Sequence, residues 1–382
     1  MTEPIERQVL IKSPLHSLHQ QLGATMIERD GWSLPESYGD VLFEYAAMRE
    51  RGCGIIDLSN RGRMLVSGSE AVQFLNGLIT NDMKTLAENT WMPAAFPNVH
   101  GRLIASVRVI RLKDEGEGKK AGPIFLIDTE AATHERALKT IERFTLAGDF
   151  RVADITGQTA LLSIQGRMAT DVVRAVLGDE AASIASNQAI QIAFQQSEPP
   201  ARVTVIRTDS AAAGFHLVAP SDLAGVIWEA LVSAGARPVG YDAFEILRIE
   251  AGQPIYGVDM DETNVISETA LDDAVSYTKG CYVGQEIIAR IKYRGHVAKK
   301  LTGLTFEQAV KVEAGAAINS TDGKEVGRIT SKTYSPHLGR TIALGYLKYD
   351  YLGSDTSVKV IAGDEELLAQ VTQLPFVRGS SL

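Results

Sequence analysis

Leu301-Thr-Gly-Leu-Thr-Phe306, Glu325-Val-Gly-Arg-Ile-Thr-Ser331, Ile342-Ala-Leu-Gly-Tyr346, Val358-Lys-Val-Ile361 and Leu367-Leu-Ala-Gln-Val-Thr372 are short β-prone runs separated by Gly, Asp and Pro turns. Helical periodicity fades through this stretch, so it reads as a small all-β barrel or sandwich. Upstream of about Lys299 the pattern differs. Arg102–Leu112 alternates as a long strand, and the polar Asp114–Gly122 segment cannot pack, so it is a hairpin loop returning through Pro123–Ile127. Leu161–Ile164, Val203–Ile206 and Phe215–Val218 read as further strands. Helices are expected after Ser13-Pro14 up to Gly23, over Asp40–Arg51, over Thr129–Phe144, and near Met168–Leu177, Asp222–Val232 and Tyr241–Ile249. Mixed strand pairs and helices give an α+β class. A boundary between Gly295 and Lys300 divides the chain into residues 14–295, two interleaved α+β subdomains, and 296–382, the barrel.

The chain has 382 residues, 38 Lys+Arg against 47 Asp+Glu, and a net charge of −9. An acidic surface argues against nucleic acid as a partner, because binding it requires displacement of counterions by cations. With 45 % apolar and 22 % charged residues the composition is that of a globular protein. The two cysteines, Cys53 and Cys281, are too few for a disulfide framework or a four-Cys metal site, and no metal site is assigned. The N-terminus lacks a secretory pattern and no apolar stretch is long enough to span a bilayer, so a cytoplasmic protein with no membrane partner is expected.

Three segments have the residue types for chemistry. In Lys279-Gly-Cys-Tyr-Val-Gly-Gln-Glu286, glycines 280 and 284 permit a turn that exposes a thiol, and the Lys279 ammonium would activate Cys281. The continuation through Arg290, Lys292, Arg294 and His296 is basic and suits an anion. The alternative is a turn with a buried structural cysteine and a solvated edge. In Arg248-Ile-Glu-Ala-Gly-Gln-Pro-Ile-Tyr-Gly257, Arg248 and Tyr256 flank a helix break and can stack on a flat heterocycle; the alternative is an ion-paired helix end. Asn98-Val-His-Gly-Arg-Leu-Ile104 is a turn feeding a strand, a place for ligand contacts or an ordinary β-turn. His16 and His19 have H-x-x-H spacing but no third ligand, and Cys53 reads as structural.

Leu15–Ala24, Gly31–Pro35, Met48–Gly52, Asp57–Ser59, Phe74–Asn76 and Leu247–Gly257 resemble the aminomethyltransferase (T-protein) family of the glycine cleavage system. So do Val326–Ser331, Tyr334–Pro336 and Ile342–Gly345. The KGCYVGQE segment is similar to the YgfZ-type folate-binding branch. The resemblance implies three parts ringed around a central folate pocket, with tetrahydrofolate or a derivative as ligand. It implies Cys281 and Lys279 as reactive groups. It also implies Asn98, Arg248, Tyr256, Gly280, Tyr282, Gly284, Gln285, Glu286 and Arg290 as folate contacts. At the paired-Asp positions of the aminomethyltransferases stand Ala105 and Ser106, which carry no charge to stabilise a developing positive centre. The stretch matching the family's pterin-holding turn, Asp209–His216, has no clear glutamate. The YgfZ-type likeness implies a role in assembling or maintaining iron–sulfur proteins, with such proteins as partners. The T-protein likeness implies a one-carbon (aminomethyl or methyl) transferase, with Asp82 or Asp259 replacing the missing acids. A third reading is a scaffold that kept only the fold.

Overall fold

The computed structural model describes residues 10–49, 52–115, 122–143, 145, 148–208 and 214–377. A six-stranded sheet has the order Ala189–Phe194, Ala201–Thr208, Gly214–Pro220, Thr159–Gln165, Gly54–Asp57, Arg237–Pro238. A five-stranded sheet has the order Thr90–Pro97, Leu103–Glu115, Gly122–Thr129, Gly62–Ser67, Arg151–Asp154. The chain moves from one sheet to the other within a few residues, from Gly54–Asp57 to Gly62–Ser67. A third, smaller sheet is formed by Ile11–Lys12, Trp32–Ser37 and Thr25–Arg29.

Both large sheets are covered on both faces, which is why their strands read as nearly unbroken apolar runs. On the outer side of the six-stranded sheet, Val172, Val173, Ile227, Trp228 and Leu231 of two helices pack on Ile55, Leu162, Ile164, Val205 and Leu217. On the outer side of the five-stranded sheet, Leu75, Leu78, Ala137 and Ile141 pack on Met64, Val66, Val107, Val109 and Ile127. The alternate residues point inward, where Ile110, Leu112 and Leu126 of one sheet meet Ile56, Leu161, Ile206 and Val218 of the other. Tyr45 and Met48 of helix Val41–Arg49, with Ile246 and Leu247 of helix Tyr241–Glu250, fill the same layer.

The last part is a closed six-stranded barrel of Lys299–Phe306, Arg340–Lys348, Glu325–Ser335, Ala317–Ser320, Ser357–Ala362 and Glu365–Thr372. Its docking explains the Thr-Ser and Tyr-Ser-Pro signature. The Thr330 and Ser331 hydroxyls donate to Asp259 Oδ1 at 2.6 and 2.7 Å, and Ser335 donates to Glu250 Oε1 at 2.5 Å. The hydroxyls of one barrel strand thus donate to two buried carboxylates of the first part.

Several local expectations shift. The first helix is shorter, His16–Gln21, and the fourth is Ala131–Glu142. The Asp114–Gly122 hairpin closes through the pair Glu115 and Gly122, while residues 116–121 lie outside the described residues. Helix Gln285–Arg294 stands where only a basic continuation was read, and strand Thr90–Pro97 was not anticipated. Among the described residues no helix is long and apolar enough to cross a membrane.

Candidate functional site

The inward face of the sheets changes character along the strands. In the five-stranded sheet Leu112 faces Ile124, Ile110 faces Leu126, and then Arg108 faces Asp128. The pairing ends at Val107 and Thr129, and Glu130 follows at the start of helix Ala131–Glu142. In the other sheet His216 occupies the inward position beside Val218, two residues along the strand. Apolar filling therefore gives way to a cluster of ionisable groups where the sheets meet. Asp128 accepts from Arg61 at 2.7 Å and from Arg108 at 2.5 Å, and Arg108 donates to His216 Nδ1 at 2.7 Å. The Arg108 guanidinium also lies 5.6 Å from the Trp91 ring centroid, and the Trp91 indole N–H donates to the Arg207 carbonyl. Arg61 keeps 29 % of its side chain accessible and Arg108 12 %, so the cluster is partly open to solvent.

Charge states follow from these contacts. Burial would raise the Asp128 carboxyl, but Arg61 and Arg108 outweigh it and hold the pKa at about 2. Burial, then the charge of Arg108, pushes the His216 imidazole well below its usual range. It is therefore neutral and accepts through Nδ1. Burial raises the Glu130 carboxyl, against the pull of Arg61 and a 2.8 Å hydrogen bond donated by the Tyr256 N–H. Arg108 Nε is buried without a partner. The cluster thus brings together arginine donors, a neutral imidazole, an indole face and a carboxyl that burial raises.

The Lys279–Glu286 segment lies against the Leu103 end of the same sheet. Tyr282 and Ile288 pack with Ala95 and Leu103. Lys279 is buried, and its Nζ donates to the carbonyls of Asn76 at 2.8 Å, Ile79 at 2.9 Å and Asn81 at 2.6 Å. Burial brings its pKa down to about 8. All three N–H groups are spent on the end of helix Ala71–Leu78, where a cation complements the helix dipole. None remains for Cys281, so the expected ammonium–thiol pair is replaced by a clamp. Val283 N–H adds a bond to the Gly77 carbonyl. Gly280 and Cys281 are exposed on this clamped turn, and Glu286 and Arg290 are exposed on the helix that follows. Gln285 Nε2 donates to the Lys279 carbonyl at 3.4 Å.

Asn98 Oδ1 accepts the backbone N–H groups of His100 and Arg102, holding its own turn. That turn meets Gly284, whose φ is +76° and where a Cβ would lie 2.4 Å from the Asn98 carbonyl oxygen. Gly284→Ala is therefore expected to destabilise the fold by about 1–3 kcal/mol through strain and overpacking. It should also speed alkylation of Cys281 by loosening the clamped turn. Unchanged stability and an unchanged alkylation rate would remove this packing argument.

Arg248 and Tyr256, expected to stack on a heterocycle, are engaged elsewhere. Arg248 is 2 % exposed, and all five of its N–H groups are used: two on Glu245, one each on the Gln253 carbonyl, Asp259 and Ser331. The Tyr256 hydroxyl donates to Glu262 and accepts from Arg136, each at 2.8 Å. The substitute acids are also placed away from the charged cluster. Asp259 is saturated by Arg248, Thr330, Ser331 and the Ile255 N–H. Asp82 caps its own turn through the Lys84 N–H. Ala105 is fully buried in the outer core, and residues 209–213 lie outside the described residues. His19 bonds to Asp57 and to the Tyr38 hydroxyl, and Cys53 is buried, with burial pushing its thiol up to about 12.

Sequence reasoning missed Arg61, Trp91, Arg108, Asp128, Glu130 and His216. Their signal was a charge at an inward position of an otherwise apolar strand, as in Ser-Val-Arg108-Val-Ile, Leu-Ile-Asp128-Thr and Gly-Phe-His216-Leu-Val.

Two α+β sheets that meet at a charged cluster, with a closed β-barrel docked on them through hydroxyls, define the class of fold. The particular family follows from comparison with known proteins. Residues 15–279 match the GCVT N-terminal domain, and residues 299–378 match the glycine cleavage T-protein C-terminal barrel domain. The chain belongs to the glycine cleavage T-protein family. It is 30 % identical over 375 residues to an aminomethyltransferase of Thermotoga neapolitana, covering 97 % of this chain and 98 % of that one. It is also 30 % identical over 376 residues to an aminomethyltransferase of Rubrobacter xylanophilus, covering 98 % and 96 %. The crystal structure of glycine cleavage system aminomethyltransferase T from Bartonella henselae has the same fold, with a TM-score of 0.84 at 23 % identity over 96 % of this chain and 98 % of that chain.

Proposed function

We propose that this chain binds tetrahydrofolate in the opening between the sheets and acts as a one-carbon transferase. The observation that carries the reading is the full-length match to aminomethyltransferases. The glycine cleavage T-protein family takes tetrahydrofolate. The residues present suit such a ligand. The partnerless Arg108 Nε is a donor awaiting an acceptor, the neutral His216, whose Nδ1 accepts from Arg108, keeps its Nε2–H as a donor, and Trp91 offers an aromatic face. When bound, the folate supplies the nitrogen that carries the one-carbon unit.

The protein's own groups divide the work. Asp128 stays ionised and fixes the orientation of Arg61 and Arg108, so their outward N–H groups are preorganised. Glu130, whose carboxyl burial raises above its ordinary value, is the group placed to act as a general acid–base. It replaces, from the neighbouring strand end, the carboxylate that Ala105 and Ser106 lack.

Calorimetric titration with tetrahydrofolate tests the binding. Arg108→Ala is expected to weaken affinity at least tenfold, about 1.4 kcal/mol. Glu130→Gln should keep affinity and lose turnover of aminomethyl donors. An absence of binding heat with the intact chain would end this reading.

A second reading keeps the ligand but gives the chain the YgfZ-type role in iron–sulfur protein maintenance. Its support is the exposed Cys281 on a turn that Lys279 pins in place. One thiol cannot hold a cluster by itself. Cys281→Ala is expected to leave folate affinity unchanged in the same titration. Loss of cellular iron–sulfur enzyme activity in that variant would favour this second reading over the first.

A further inference from the structure

A cleft separates the outer face of the barrel from the Gly257–Asn264 loop, enclosing about 330 Å³ with the solvent at its mouth included. It shares no residue with the opening between the sheets. The barrel wall is set by register. Tyr346 lies opposite Arg328 on one side and Leu301 on the other, and Lys299, two residues before Leu301, shares that face. Tyr346 is only 5 % exposed, yet its hydroxyl is buried without a hydrogen-bond partner. The Lys299 ammonium stands 4.9 Å from the Tyr346 ring centroid. Neither Lys299 nor Arg328 forms an ion pair among the described residues.

The facing wall carries two carboxylates of different standing. Asp259 is neutralised by Arg248 and saturated with donors. Asp261 uses Oδ1 on the backbone and hydroxyl of Thr263. Lys299, Arg328 and the orphaned Tyr346 hydroxyl thus line the cleft with Asp261 and the Arg248-paired Asp259, and the Glu268 carboxylate also acts on that hydroxyl. Leaving a buried hydroxyl unsatisfied is costly, and an acceptor that also pairs with Lys299 and Arg328 would supply the missing bond.

We propose that this cleft binds a small carboxylate, gripped by Lys299 and Arg328 and accepting a hydrogen bond from the Tyr346 hydroxyl. The site stands independently of the folate reading. Acetate and glycine are the probes, titrated onto the full chain and followed by ligand-observed NMR and by thermal stability. Both should bind in the millimolar range, and glycine more tightly if Asp261 meets its ammonium. Arg328→Ala should weaken binding at least fivefold. Tyr346→Phe should also weaken it at least fivefold while leaving the ligand-free protein as stable as before or more so, because it removes an unsatisfied hydroxyl. Absence of binding up to tens of millimolar, binding by phosphate alone, or affinities indifferent to both variants would overturn the assignment. Loss of stability in ligand-free Tyr346→Phe would also count against it, since the hydroxyl would then have a structural partner.

Discussion

Arg248→Met is expected to destabilise the protein by about 3–5 kcal/mol, read as a fall in the urea midpoint at neutral pH. The side chains of Arg248 and Asp259 are 2 % and 0 % exposed and 2.7 Å apart. Removing the guanidinium leaves a carboxylate buried with only hydroxyl and amide donors. It also unties helix Tyr241–Glu250 from the 253–259 loop and from Ser331 of the barrel. Arg248→Lys should recover little, since an ammonium has three donors and no planar fork to span four partners. The double variant Arg248→Met with Asp259→Leu should regain part of the loss, because it deletes the uncompensated charge as well. A single-variant loss below about 1 kcal/mol would mean that the network is merely decorative. The same experiment separates structure from ligand binding. Folate affinity of the surviving folded Arg248→Met protein should change far less than that of Arg108→Ala.

The case of Arg248 also shows where a linear reading stops. Its position beside a Gly-x-Pro break was legible, but its partner Ser331 is 83 residues away, and only the fold brings them together. Lys279 has the same history: proximity in sequence pairs it with Cys281, whereas the carbonyls of Asn76 and Ile79 claim it from about 200 residues upstream. The barrel and most of the apolar strands were legible because alternation and turn residues are local signals. Helix Gln285–Arg294 was obscured because only Ile288 is fully buried, so its basic residues dominate the pattern. The charged opening was hidden for a different reason. Strands covered on both faces lose clean alternation, and an inward Arg108 or Asp128 is indistinguishable from an outward one until the second sheet is placed.

Asp128→Asn should have the second large effect, and its pH dependence carries the diagnosis. The folded carboxyl is held at about 2 by Arg61 and Arg108, against an ordinary value of 3.8. A depressed carboxyl contributes stability that is fully present above the unfolded pKa and is lost as the pH falls through the folded one. At roughly 1.4 kcal/mol per unit, the difference amounts to about 2 kcal/mol at neutral pH for a group that is 3 % exposed. About half of that should be gone by pH 3. The asparagine variant lacks the contribution at every pH, and two arginines then face each other without a counterion. Its total loss at pH 7 should therefore reach about 2–4 kcal/mol. Urea unfolding of both proteins from pH 7 to pH 3 should show a gap that is constant down to about pH 4.5 and narrows below it. A gap of the same size across the whole range would place the loss in packing rather than in the charge of Asp128. A gap that widens toward acid would reverse the sign, and with it the claim that the arginines keep this carboxyl ionised. The outcome bears on the chemistry of the site as much as on stability. Only an ionised Asp128 gives Arg61 and Arg108 the charge-assisted partner on which the proposed site relies.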